Sequence, residues 1–163
     1  MEMRTENWNG WRIRFVHHNN EWKAVLKDIC DALDIQTWSV TQRLDSDMCD
    51  IVRIEADPSV TVSPFARKAQ EMTVVNELGI YEALFASRKL EARKFRRWAC
   101  GIMKKFREHV GLEAYEVFRM TDGDIQQQIS DFLDTVFYDE ETGKLMRSVT
   151  VQGGDVEQVE LDI

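Results

Sequence analysis

Residues 88–110 read RKLEARKFRRWACGIMKKFREHV, and this stretch predicts a long helix with two different faces. At about 100° per residue, its apolar side chains fall within a stripe of roughly 140°. This stripe consists of Ala92, Phe95, Trp98, Ala99, Ile102, Met103, Phe106 and Val110. The opposite side carries Arg93, Arg96, Arg97, Lys104 and Arg107. We therefore expect a helix over about 89–110 that packs on one side, presents cations on the other and stops at Gly111.

Positive charge is concentrated around this helix. Residues 87–109 hold nine Lys/Arg against two Glu, in a chain of 163 residues whose net charge is -8. Residues 1–86 hold nine Lys/Arg against 14 Asp/Glu, and residues 110–163 hold three against 13. A field is felt within about 10 Å at ordinary ionic strength, so the local charge matters more than the acidity of the whole chain. The helix favours an anionic partner such as nucleic acid.

The residues before this helix predict short strands and helices. Alternation of apolar and polar residues indicates the strands, and helical spacing indicates the helices. The chain begins with a predicted hairpin of strands 11–16 and 21–26, with its turn at 17–20. Two helices follow at 27–33 and 37–44, the second with Thr37 as N-cap, and then a strand at 49–54 and a loop at 57–69. A strand at 72–75 leads to a helix at 77–85 with Asn76 as N-cap.

The segment after Gly111 predicts a helix at 121–133 and strands at 135–138, 145–152 and 156–161. Turn sequences at 139–144 and 153–155 join these strands into an antiparallel meander. A sheet of three strands is marginal by itself, so we expect it to pack on a helix or on another subunit. The fold class is α+β: an N-terminal β-hairpin and short helices with a small sheet, a long basic helix, then a helix and a C-terminal three-stranded antiparallel meander.

Three blocks of the chain resemble the N-terminal domain of the BRO family, which occurs in phage and prophage antirepressors and in large DNA viruses. The blocks are 22–33, with its Trp and its Lys-Asp-Ile helix ending in Ala-Leu, 75–81 (VNELGIY) and 92–98 (ARKFRRW). The last two are the specific ones. This chain departs from many members in lacking a proline soon after Trp98 and in having Asp34 where a glycine is common.

The resemblance implies a small α+β domain ascribed to DNA binding, in proteins that relieve repression by a phage repressor, and it implies no enzyme activity. It predicts a DNA-binding domain at about 8–110. The remaining residues, 111–163, lie outside the resemblance, and we expect them to form an acidic helix and meander for dimerisation or partner contact.

Other site chemistries find little support in the sequence. Cys30, Cys49 and Cys100 are widely spaced and predict buried reduced thiols, and the three histidines lack metal-ligand spacing. We expect no catalytic residue, metal, cofactor or small-molecule substrate. No run of about 20 apolar residues occurs and the start does not resemble a signal peptide, so we expect a cytoplasmic protein without a membrane partner.

We therefore predict a prophage antirepressor or transcription regulator that forms a homodimer and binds duplex DNA through Arg93, Arg96, Arg97, Lys104 and Arg107. Phe95 and Trp98 are expected in the core rather than as platforms for base stacking. Four alternatives stay open. The basic face could be a solvated surface, or the acidic tail of the same chain or of a dimer mate could cover it. The protein could instead bind no DNA and contact a phage repressor through an acidic surface that imitates DNA, or it could be a purely structural oligomer.

Overall fold

The structure of the protein is a computed structural model that describes residues 1–55 and 69–161. The chain divides into two compact units, Met1–Arg97 and Trp98–Ile163. Helices and antiparallel sheets occur together, which confirms the α+β class. The predicted loop at 57–69 lies outside the described residues except for Ala69. The division into functional domains at 8–110 and 111–163 stays a prediction.

The N-terminal unit is built on an antiparallel sheet of five strands. They are β1 (Met3–Trp8), β2 (Trp11–His18), β3 (Glu21–Val25), β4 (Cys49–Ile54) and β5 (Gln70–Val75). Their order in the sheet is β1-β2-β3-β5-β4. The last four correspond to the predicted strands, and β4 has the predicted bounds.

Two tight turns shape the first three strands. Asn19 and Asn20 have φ of 53° and 67° and join β2 to β3, whereas His17 and His18 still pair within the sheet, so the predicted turn at 17–20 is wrong for the two histidines. Asn9 and Gly10 join β1 to β2 with φ of 49° and 84°. β1 is absent from the prediction because it buries no residue and shows no apolar alternation, although Asn-Gly is a strong hairpin signal.

Among the described residues of this unit, four α-helices occur wholly or partly: α1 (Leu26–Ala32), α2 (Thr37–Thr41), α3 (Glu77–Ala86) and α4 (Leu90–His109). Buried side chains from all four helices form one cluster with Ala24 of β3 and Val75 of β5. The helical members of this cluster include Leu26, Ile29, Cys30, Val40, Ala83 and Ala92. Burial of each large aliphatic side chain contributes roughly 1.5–3 kcal/mol, so this cluster holds the helices on the sheet.

The predicted N-caps differ in outcome. The side-chain oxygen of Asn76 accepts a hydrogen bond from the backbone N–H of Gly79 at 3.2 Å, which confirms Asn76 as the N-cap of α3. Thr37 is the first helical residue of α2, and the N-cap position belongs to Gln36, whose side chain makes no capping hydrogen bond. The prediction for Thr37 is therefore wrong by one residue, and α2 is shorter than the predicted helix.

The C-terminal unit contains a 3₁₀ helix (Ala114–Thr121), α5 (Gly123–Leu133) and the strands β6 (Val136–Asp139), β7 (Lys144–Thr150) and β8 (Val156–Glu160). The strands form an antiparallel sheet in the order β6-β7-β8, which confirms the meander. The 3₁₀ helix is an addition to the predicted elements. None of the described strand residues of this sheet is buried, and the apolar core of the unit consists of Leu112, Ile125 and Phe132.

We expect Gly79→Ala to destabilise the N-terminal unit by about 1–3 kcal/mol. An added Cβ on Gly79 would lie 2.7 Å from Cβ of Val75, so α3 would have to move away from β5. Gly101→Ala in α4 is the matched control, because an added Cβ there meets no atom within 4 Å and should stabilise the helix by roughly 0.5–1 kcal/mol. Urea denaturation followed by circular dichroism measures both, and a neutral Gly79→Ala variant would contradict the close packing of α3 on β5.

Candidate nucleic-acid interface

The basic segment forms one α-helix, α4, which ends as its sequence predicts. Gly111 has φ of 77° and its N–H donates to the carbonyl of Glu108, while the N–H of Leu112 donates to the carbonyl of Arg107. This pair of hydrogen bonds is a Schellman motif, in which the residue after the helix must adopt a left-handed conformation that glycine tolerates. Leu112 is buried, as the residue after the glycine commonly is in this motif. The predicted stop at Gly111 is confirmed.

The start of α4 is held by Ser87, whose side chain is completely buried. Its hydroxyl donates to the carbonyl of Leu33 at 2.8 Å and accepts from the backbone N–H of Lys89 at 3.1 Å. Nζ of Lys89 donates to the carbonyl of Ala32 at 2.7 Å and lies 5.3 Å from the centre of the Trp11 ring. Two residues that precede α4 are thus tied to the C-terminal end of α1.

Arg96 uses its charge inside the N-terminal unit. The side chain is half-buried, and Nη1 donates to the carbonyls of Phe85 at 2.7 Å and Ser87 at 3.5 Å, in the last turn of α3 and at its C-cap. The guanidinium therefore satisfies carbonyls that α3 leaves without a helical partner. Arg96 lies beside the apolar stripe rather than opposite it, so its predicted place among the outward cations is wrong.

Arg107 has a similar structural role in the C-terminal unit. It is only 8% exposed, and Nη1 donates to the carbonyl of Leu112 in the turn that ends α4. Nη2 also lies 3.4 Å from a carboxylate oxygen of Glu108. On the helical projection Arg96 and Arg107 are within about 40° of the edge of the apolar stripe. A long arginine stem at such a position packs against apolar surface, which brings its donors to backbone carbonyls. The prediction of an outward Arg107 is wrong.

The other three predicted cations are exposed, and they are Arg93, Arg97 and Lys104. They lie about 80–100° from the nearest edge of the apolar stripe. Lys94, which the sequence prediction omitted, is also exposed in the N-terminal unit. Within the described part of the chain, Arg93, Lys94 and Arg97 form no ion pair, whereas Lys104 lies 3.8 Å from Glu108. Arg93, Lys94 and Arg97 are thus the exposed cations that α4 contributes to the N-terminal unit, and we call the surface they form the α4 basic face.

The two aromatic residues of the stripe have different environments. Phe95 is half-buried and stacks on Tyr81, with ring centroids 5.9 Å apart, and it lies 6.1 Å from Phe85, so it packs on α3 but is not one of the buried residues of the core. Trp98 is 62% exposed, so the expectation that it lies in the core is wrong. Its position is about 70° from the centre of the stripe, at the margin of what the helix buries. Cys100 is exposed as well, unlike the buried thiol expected there.

His109 is the last residue of α4 and contacts the C-terminal unit's apolar core. Its ring centroid lies 3.8 Å from that of Phe132. Burial and the nearby Arg147 both lower the pKa of His109 below its ordinary value, which disfavours the charged form of the ring. Across residues 1–55 and 69–161, the His, Cys, Asp and Glu side chains form no group of three or more that could hold a metal ion.

Comparison with protein families gives a match of residues 12–105 to the BRO family, N-terminal domain. This match covers more than half of the chain, so the protein belongs to the BRO family. The domain is a regulatory domain of the phage-antirepressor type. Neither the curated proteins nor the solved structures give a match to this chain. In the part of the chain that the structure describes, every helix is too short or too polar to cross a membrane.

We expect Arg107→Ala to destabilise the C-terminal unit by about 1–3 kcal/mol, because the buried carbonyl of Leu112 loses its charged donor. Arg97→Ala in the same helix is the control, and it should change stability by less than about 0.5 kcal/mol because Arg97 is exposed. Thermal unfolding of the two variants compares them. Equal stabilities would show that Arg107 is as dispensable to the fold as Arg97.

Proposed function

We propose that this BRO-family protein is a transcription regulator that binds duplex DNA through the α4 basic face and relieves repression in a phage or prophage. The observation that carries the proposal is the exposure of Arg93, Lys94 and Arg97 as adjacent cations without an ion-pair partner among the described residues. Lys104 is a further candidate contact, although it lies close to Glu108. The proposal includes no catalytic activity and no cofactor, and it places the protein in the cytoplasm, where its DNA target lies.

Exposed like charges suit phosphate binding better than a purely structural face. Arg93 and Arg97 are one turn apart, about 6 Å along the helix axis, and repel each other slightly in the free protein. Phosphate contacts would remove this repulsion and release counterions from the DNA. Three such contacts give a slope of about -2.7 in a plot of log K against log salt concentration. Contacts of this kind position a protein on DNA and do not select a sequence.

A second candidate function is protein contact with a phage repressor, without DNA binding. It rests on the C-terminal unit, in which residues 98–163 hold six Lys/Arg against 14 Asp/Glu. Such an acidic surface would suit the basic DNA-binding site of a repressor. A mobility-shift assay with nonspecific duplex at low salt separates the two functions. Retardation favours DNA binding by this chain, whereas no retardation together with co-purification of a repressor favours the second function.

We expect the double variant Arg93→Glu/Arg97→Glu to weaken duplex binding for all sequences and to reduce the salt slope by about 2. Each substitution removes one phosphate contact and adds a repulsive charge. Arg12→Glu/Arg53→Glu is the matched control, since both residues are exposed in β2 and β4 and the net charge changes equally. Fluorescence anisotropy across a salt series measures both.

In the control variant, the slope of log K against log salt concentration should stay close to that of the wild-type protein. Equal losses in the two double variants would mean that net charge and not the α4 basic face determines binding. Unchanged binding in Arg93→Glu/Arg97→Glu would also contradict the proposal.

A further inference from the structure

The 3₁₀ helix of the C-terminal unit exposes two large aromatic side chains next to each other. Tyr115 is 85% exposed and Phe118 is 83% exposed. Residues three apart in a 3₁₀ helix lie on the same side, so the two rings form one row along it. Val117 beside them is 46% exposed. Adjacent exposed aromatic rings of this kind mark a surface for contact with another protein.

Acidic residues surround this aromatic row. Glu113 and Glu116 form a reciprocal capping box at the start of the 3₁₀ helix, and Asp122 and Asp124 are exposed where it meets α5. Arg119 is the one cation between residues 113 and 124, and it lies 3.5 Å from Glu116. We call the surface formed by residues 113–124 the acidic aromatic edge. Its partner must offer cations, preferably guanidinium groups that also stack on aromatic rings.

The α4 basic face has this chemistry on the same chain. Arg93, Lys94 and Arg97 are exposed, and the N-terminal unit that carries them holds 15 Lys/Arg against 15 Asp/Glu. The entire net charge of -8 belongs to residues 98–163, which include the acidic aromatic edge. Because Tyr115 and Phe118 are almost fully exposed within one chain, their rings are open to a second molecule.

We propose that a second copy of this chain occupies the acidic aromatic edge with its α4 basic face. Two such contacts, related by a twofold axis, close the dimer and leave no complementary surface open for further growth. The C-terminal unit has a small apolar core of Leu112, Ile125 and Phe132, so burial of Tyr115 and Phe118 would add apolar contact where the unit has little. Opposite charges on the two surfaces fix the orientation of the copies.

Salt distinguishes this dimer from an alternative dimer in which the edge strands of two sheets pair. A contact between the acidic aromatic edge and the α4 basic face joins opposite charges, so salt weakens it. Pairing of β8 with β8 of a second copy would bring two acidic units together, and salt would strengthen it by screening their repulsion. The dimer also covers the cations assigned to DNA, so duplex DNA and the second copy compete for Arg93 and Arg97. Only this competition rests on the proposed function.

Analytical ultracentrifugation of the full chain tests the dimer at about 0.05 M and about 0.5 M salt. We expect a dimer at low salt that dissociates at high salt. Tyr115→Ala/Phe118→Ala should weaken the dimer at least about tenfold, because both substitutions remove central aromatic contacts. Arg93→Glu/Arg97→Glu should weaken it similarly from the other side of the contact. Tyr138→Ala is the matched control, since Tyr138 is 61% exposed in β6 and lies outside both surfaces.

A monomer under all conditions would overturn the proposal, and so would a dimer that salt strengthens or that both double variants leave intact. Circular dichroism checks that the variants fold, and the two variants alter opposite sides of the contact. Duplex binding separates this inference from the proposed function. Tyr115→Ala/Phe118→Ala should bind duplex at least as tightly as the wild-type protein, because it loses the competing copy. A salt-sensitive dimer that binds no duplex would overturn the proposed function alone.

Discussion

The link between α3 and α4 decides which side chains of the basic helix reach solvent. Ser87 ends α3 and, through its hydroxyl, holds both the carbonyl of Leu33 and the backbone N–H of Lys89. Arg96 returns from α4 to the carbonyls at the end of α3. A helix is stiff, so fixing its first turns and one guanidinium fixes its rotation in the N-terminal unit. Ala92 is thereby buried, and Arg93, Lys94 and Arg97 face outward.

The five cations predicted as a single site fall into two groups, because Arg96 and Arg107 are half-buried or buried, whereas Arg93, Arg97 and Lys104 are exposed. Arg96 donates to backbone carbonyls at the end of α3, and Arg107 donates to the buried carbonyl of Leu112 in the turn after α4, where a loss of the donor would leave a polar group unsatisfied. Arg93 and Arg97 are exposed and lack an ion-pair partner among the described residues. A helical projection records only the angle of each residue. It takes no account of the reach of an arginine stem, which lets a side chain beside the apolar stripe turn back toward the protein.

Charge in this protein is distributed by unit as well as by helix. The N-terminal unit is neutral overall but exposes a basic face, and the C-terminal unit carries the whole net charge of -8 together with exposed aromatic rings. The pI near 4.9 is an average over the whole chain, so it does not indicate the charge of the α4 basic face or of the C-terminal unit. Fields of opposite sign on one chain favour association with DNA, with basic proteins or with another copy, depending on salt and concentration.

Elements whose signals are local can be predicted from the sequence. The helical repeat of α4, the stop at Gly111, the Asn76 cap and the C-terminal meander follow from periodicity and turn residues, which act over a few positions. Features that depend on distant neighbours become visible only in the folded chain. β1 forms because β2 supplies its hydrogen bonds, and Arg107 is buried because the chain after Gly111 turns back to it. The exposure of Trp98 likewise depends on what packs beside α4, and a residue's own helical angle does not contain that information.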